Sequence, residues 1–122
     1  MREINIAIKS HFDSAHYLVD YDGDCGNLHG HRFSYEVSLK VAINEHSGMG
    51  IDFKALKKEC RERVEKVLDH QTINCTIEQP TAENICYWIF EILIEKYPEL
   101  QQVTVWESPE CSVSLCRSQF SK

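Results

Sequence analysis

The clearest pattern in the chain runs from residue 32 to residue 44. Phe33, Tyr35, Val37, Leu39, Val41 and Ile43 alternate with Ser34, Glu36, Ser38, Lys40 and Asn44. A period of two over this length predicts a long antiparallel strand, dry on one face and wet on the other. A shorter alternation comes first, with Ile4, Ile6 and Ile8 set against Asn5, Ala7 and Lys9. It predicts an opening strand that runs on towards Phe12. Between the two strands, residues 17–28 collect Asp20, Asp22, Gly23, Asp24, Gly26 and Asn27, the composition of a loop. Residues 45–50 read as a turn, with His46 on its surface.

The period then changes. Phe53, Leu56, Cys60, Val64 and Val67 recur at three and four residues, closed by Leu68. This is one apolar helical stripe, with Asp52 placed to cap its first amides. After a loop over 71–80, Thr81 offers a second cap and Glu83 a favourable charge in the first turn. Ile85, Trp88, Ile89, Ile92, Leu93 and Lys96 mark a second amphipathic helix, stopped by Pro98. Residues 103–107 and 112–116 read as two short strands joined by a turn at Ser108-Pro109-Glu110. The order is ββααββ, an α+β arrangement: a four-stranded antiparallel sheet with two helices on one face. The sheet edges then need cover, which predicts oligomerisation through them.

A length of 122 residues fits a single domain, 1–122, able to bury roughly two thirds of its unfolded surface. The net charge of −6 argues against a nucleic-acid partner. The largest basic cluster, Lys57-Lys58, reads as a solvated helix face. No apolar run approaches the ~20 residues of a membrane span. With no apolar leader block at the N-terminus, the six cysteines fit a reduced, cytoplasmic protein better than a disulfide framework. Cys60 and Cys86 fall in helical patterns and are expected to pack as small apolar groups.

Candidate chemistry gathers at Cys25-Gly26-Asn27-Leu28-His29-Gly30-His31. In an extended segment His29 and His31 point the same way, unless Gly30 forms a bulge. His16 lies upstream on the expected neighbouring strand. Three neutral imidazoles with an open fourth position describe a catalytic zinc site. The acidic run Asp20-Asp22-Asp24 lacks the distal glutamate of a calcium loop and reads as solvated. Cys25 has three readings: a fourth ligand that closes the site, a base beside the metal, or a loop residue without a role. Its place in a loop held by a rigid scaffold favours the base. Asp69-His70 reads either as a carboxylate orienting an imidazole or as a plain helix end. Glu107 reads either as a solvated strand end or as an acceptor of two parallel hydrogen bonds from a heterocycle's N–H/NH₂ edge.

Six segments then join into one resemblance: Phe12-Asp13-Ser14-Ala15-His16, Cys25 to His31, Gly50-Ile51-Asp52-Phe53, Leu68-Asp69-His70, Pro80-Thr81-Ala82-Glu83-Asn84 and Val105-Trp106-Glu107-Ser108. In this order they resemble the 6-pyruvoyl-tetrahydropterin synthase family, and within it the bacterial 6-carboxy-tetrahydropterin synthases of the queuosine (7-deazaguanine) pathway. The resemblance implies the tunnelling fold and a homohexamer, a dimer of trimers, with active sites at subunit interfaces. It implies zinc on His16, His29 and His31, proton abstraction by Cys25 aided by Asp69 and His70 from across the interface, and pterin anchoring by Glu107 in a pocket lined by Thr81 and Glu83. The implied reaction is a zinc-dependent lyase step from 7,8-dihydroneopterin triphosphate to 6-carboxy-5,6,7,8-tetrahydropterin, releasing acetaldehyde and triphosphate. The alternative is 6-pyruvoyl-tetrahydropterin formation with the side chain retained. Three residues between Cys25 and His29, none of them glutamate, favour the queuosine type. Ser108 stands where the family pattern has threonine beside the glutamate. A triphosphate needs cations, for which Lys9, Arg32 and Lys54 are candidates.

Overall fold

In the computed structural model, which describes residues 2–121, four strands form one antiparallel sheet in the order β1-β2-β3-β4. They are β1 (Glu3–His16), β2 (His29–Ala42), β3 (Leu100–Ser108) and β4 (Cys111–Cys116). The two helical segments are inserted between β2 and β3, so the fold is the expected ββααββ. β1 is longer than the alternation of its first six residues suggested. It pairs with β2 without interruption from Glu3↔Ala42 to His16↔His29. Gly30, a candidate bulge, sits in register opposite Ala15. The breaks fall instead on β3, which carries an extra residue opposite Ser38/Leu39 of β2 and another between Trp106 and Ser108.

Side-chain alternation sorts this sheet into two faces. Phe33, Tyr35, Val37 and Leu39 of β2, with Ile8 and Phe12 of β1 and Val103 and Val105 of β3, form the floor of the core. Phe12 and Phe33, paired directly across the strands, stack with ring centroids 5.3 Å apart. Ile4 shares this parity but is 49% exposed at the far end of β1, beyond the cover of the helices.

The first helix starts at Phe53–Cys60, passes through a π-helical turn at Arg61–Glu65 and ends as Lys66–Leu68. Asp52 caps it, its carboxylate accepting from the Lys54 amide at 3.0 Å. Leu56, Cys60, Val64 and Leu68 are fully buried. Phe53 and Val67, expected on the same stripe, are 54% and 39% exposed. The buried residues follow a strict four-residue spacing, and the wider π-turn keeps that spacing aimed at the sheet while Val67 turns outward. The second helix, Ala82–Lys96, is capped by Thr81, whose hydroxyl accepts from the Asn84 amide at 3.1 Å. It buries Ile85, Cys86, Ile89, Phe90 and Leu93. All six cysteines are free, and burial pushes the Cys60 and Cys86 thiols up to about 12. Both pack as apolar groups.

Glu65 gathers polar contacts across this core. The fully buried Tyr35 hydroxyl donates to Glu65 at 2.7 Å, and the Ser10 hydroxyl donates to the same carboxylate oxygen at 2.9 Å. Burial, reinforced by that bond, raises the Tyr35 hydroxyl far above the phenol range. Tyr35→Phe deletes one of the two donors and should lower unfolding free energy by about 1–3 kcal/mol in urea denaturation. A change within about 0.5 kcal/mol would mean that the bond adds no net stability.

Candidate metal centre

The unbroken β1–β2 register places three imidazoles on the helix-covered face at the end of the hairpin. His16 faces His29 across the ladder, and His31 lies two residues further along β2. Ring centroids are 4.6 Å apart for His16–His29, 4.8 Å for His29–His31 and 5.2 Å for His16–His31. One nitrogen from each ring lies within 4.8 Å of the other two, and this trio is the ligand cluster among the described residues. Phe33 packs edge-on beneath His16 and His31, at 5.3 and 5.5 Å between centroids. The rings therefore converge above an apolar base.

Backbone carbonyls decide which nitrogens remain free. His16 Nδ1 donates to the Pro80 carbonyl at 2.7 Å, and His29 Nδ1 donates to the Asn27 carbonyl at 2.6 Å. In each ring the lone pair is then left on Nε2, the arrangement that metal-binding histidines use. His16 Nε2 is buried and has no hydrogen-bond partner. A buried orphan of this kind is costly unless something binds it. Burial holds His16 below the ordinary imidazole range; the Pro80 carbonyl opposes the shift, and repulsion from His29 and His31 adds to it. A neutral ring is the form that donates to a metal. The donor set fits a divalent metal with an open position.

Glu107 is on the same sheet face, at the end of β3. Its Oε1 is 4.0 Å from His31 Nε2, and both side chains are partly exposed. The carboxylate therefore faces the imidazole cluster and keeps access to solvent. Cys25 sits in a 3₁₀ turn, Asp24–Gly26, within the β1–β2 connection, half-buried. Its carbonyl accepts from the Leu18 amide at 2.8 Å and closes the neck of that loop. The thiol is not part of the convergent ligand trio. Thr81 and Glu83 follow directly on Pro80, whose carbonyl orients His16, so the start of the second helix is tied to the cluster.

Asp69 and His70 are elsewhere. They run along the outer edge of β1, where Asp69 Oδ1 accepts from the Asp13 amide at 2.8 Å and the His70 amide donates to the Asp13 carbonyl at 2.7 Å. Asp69 Oδ2 is 2.9 Å from His70 Nδ1, with the histidine side chain 78% exposed. The Asp13 amide, and then His70, hold the Asp69 carboxyl below its usual range. Within one chain the dyad does not join the imidazole cluster. Lys9 and Arg32 lie on the opposite, helix-free face, in a groove of about 330 Å³ with Trp106. Lys9 Nζ sits 4.1 Å above the Trp106 ring, and Arg32 is bound to Asp13 through Nε and Nη2 at 2.8 and 3.0 Å. The orienting carbonyls of Pro80 and Asn27 carried no signal in the sequence, because any residue supplies a carbonyl.

Comparison with known proteins gives one consistent relationship. The family model described as 6-pyruvoyl tetrahydropterin synthase matches residues 5–118. A 6-carboxy-5,6,7,8-tetrahydropterin synthase of Synechocystis sp. is 39% identical over 105 residues, covering 80% of this chain and 81% of that protein. A dihydroneopterin monophosphate aldolase of Pyrococcus furiosus is 36% identical over 113 residues, covering 90% and 95%. Among solved structures, the 6-pyruvoyl tetrahydropterin synthase of Caenorhabditis elegans superposes with a TM-score of 0.85 at 26% identity, covering 95% and 96% of the two chains.

The orphaned nitrogen gives a direct test. Dialysis against zinc should load a single ion per chain, and His16→Ala or His29→Ala should abolish the loading by elemental analysis. At zinc a hundredfold above its dissociation constant the ion should add about 2.7 kcal/mol of stability, read as a fall in Tm when a chelator removes it. Unchanged metal content in both variants would rule out the trio as the ligands.

Proposed function

The chain belongs to the 6-pyruvoyl tetrahydropterin synthase family, and on that footing we propose that it is a zinc-dependent lyase of queuosine biosynthesis. Its substrates are 7,8-dihydroneopterin triphosphate and one water, and its products are 6-carboxy-5,6,7,8-tetrahydropterin, acetaldehyde and triphosphate. The observation that carries the reading is the convergence of His16, His29 and His31 on one sheet face with the Glu107 carboxylate beside them. Relatives named 6-carboxy-tetrahydropterin synthase, the one from Synechocystis sp. among them, support the choice of product.

The roles follow from the chemistry of each side chain. Glu107 accepts two parallel hydrogen bonds from the N–H/NH₂ edge of the pterin, which fixes the ring's orientation. His16, His29 and His31 hold the zinc, which when bound polarises the hydroxyls of the substrate's side chain. Cys25 moves the proton at the carbon beside the ring. Asp69 holds His70 by Nδ1, which leaves Nε2 free to relay protons. Because the dyad lies on the outer edge of β1, it serves the imidazole cluster of a second copy, in a homohexamer with sites between subunits. Thr81 and Glu83, anchored next to the Pro80 carbonyl, line the pterin pocket.

A second reading has its own support: the Pyrococcus furiosus relative is named an aldolase of dihydroneopterin monophosphate. A third outcome is retention of the whole side chain as 6-pyruvoyl-tetrahydropterin. Mass analysis of the pterin product separates all three. The expected result with the triphosphate is the 6-carboxy product, with acetaldehyde released in equal amount. Cys25→Ala should lose roughly 10²–10⁴-fold in kcat while keeping its zinc. Zinc lost together with that thiol would make Cys25 a ligand and end the base role.

A further inference from the structure

The first helix carries a charge pattern that its own stability disfavours. Lys54, Lys57, Lys58 and Arg61 form two like-charged i,i+4 pairs, Lys54/Lys58 and Lys57/Arg61, which repel on a helix surface. Lys54 stands in the first turn, where the helix dipole disfavours a cation. The first turn has no acidic residue. Among the described residues the lysine and arginine ion pairs engage Arg32, Lys40, Arg63 and Lys96, and none of these four. A chain of net charge −6 thus concentrates unpaired cations on one short surface.

The π-turn explains why Arg61 in particular is free. In a regular α-helix Arg61 and Glu65 would face each other at i,i+4. The turn at Arg61–Glu65 is wider, and Glu65 instead accepts from Ser10 and Tyr35. Arg61 is left lining two adjoining clefts. One, about 190 Å³, lies between β1 and the helix, with Lys9, Ser10, Lys57 and Glu65. The other, about 490 Å³, holds Lys66, Glu62, Asp69 and His70. The acids there are Glu65, engaged by two hydroxyls, Asp69, engaged by the Asp13 amide and His70, and Glu62. The cations of the inner cleft have only Glu65 against them.

We propose that this groove, from Lys57 through Arg61 to Lys66, binds the triphosphate tail of the substrate, presented by the same copy that lends its Asp69–His70 dyad. This rests on the triphosphate lyase reading above. The groove adjoins the dyad, and the substrate's anionic tail needs cations that the imidazole and Glu107 face does not supply. Lys9 borders the inner cleft, while Arg32, held by Asp13 on the other sheet face, plays no part.

The test is kinetic, with inorganic triphosphate as the probe for the site itself. Lys57→Gln/Arg61→Gln should raise KM for dihydroneopterin triphosphate by about tenfold or more, hold kcat, and weaken inhibition by inorganic triphosphate in parallel. Lys96→Gln, on a residue near Glu59 and outside both clefts, should leave both unchanged. Circular dichroism checks that the double variant is folded. Unchanged KM and inhibition in the double variant would overturn the groove and leave the lyase reading intact. No turnover of the triphosphate by wild-type protein would overturn the lyase reading instead. Direct calorimetric binding of inorganic triphosphate, lost in the double variant, would then still establish the groove, and equal binding would refute it.

Discussion

The register of β1 against β2 is the constraint on which the site depends. Side chains alternate with period two, so a slip by one residue would send His16 to the face opposite His29 and His31. The ladder is unbroken over all fourteen residues of each strand. Its lock is the core itself: Ile8, Phe12, Phe33, Tyr35 and Val37 must share one buried face. Burial of these side chains, each worth roughly 1.5–3 kcal/mol, fixes the parity of every residue up to the hairpin end. The candidate metal site is the continuation of the core stripe past the point where apolar side chains give way to imidazoles.

The second layer of the site comes from distant chain. The Pro80 carbonyl, 64 residues from His16, orients that ring and links it to the cap of the second helix. Phe33 supports two of the rings while also stacking on Phe12. Core packing and ligand geometry thus share side chains, and a change that loosens the helix start would also release His16. Such outer partners set the tautomer and ring direction that a metal requires.

Much of this was legible in the residues. The alternation at 33–43 and the four-residue spacing of Leu56, Cys60 and Val64 reflect burial directly, and these elements formed as expected. His29 and His31 were legible because they share the parity of Phe33. Where the pattern misled, a local irregularity had intervened. Val67 was expected in the stripe, but the π-turn changed the helix phase before it, and nothing in Arg61–Glu65 signals an extra residue per turn. The length of β1 was understated because Ser10, Ser14 and His16 are polar residues on its buried face, paired to partners in the first helix and the Pro80 loop. Polar groups satisfied by distant partners do not produce an apolar period.

The position of Asp69 and His70 follows from a problem common to sheets. An edge strand exposes unpaired amides and carbonyls, and proteins cover them. Here the segment after the first helix covers β1 at Asp13 and Ala15, through hydrogen bonds from or to Asp69, His70 and Gln71. Asp69 uses one carboxylate oxygen to cap the strand and the other to hold the imidazole. His70 adopts φ of +57°, a left-handed conformation uncommon outside glycine. That conformation turns its side chain away from the strand it caps and out into solvent. Strain of this kind persists only where surrounding contacts over-determine it, and it concentrates at functional positions. The bond from the His70 amide to the Asp13 carbonyl and the bond from the Asp13 amide to the Asp69 carboxylate supply that over-determination. An imidazole held outward by its own aspartate on a sheet edge is free to reach beyond its own chain, which is what the role proposed for it in a second copy requires.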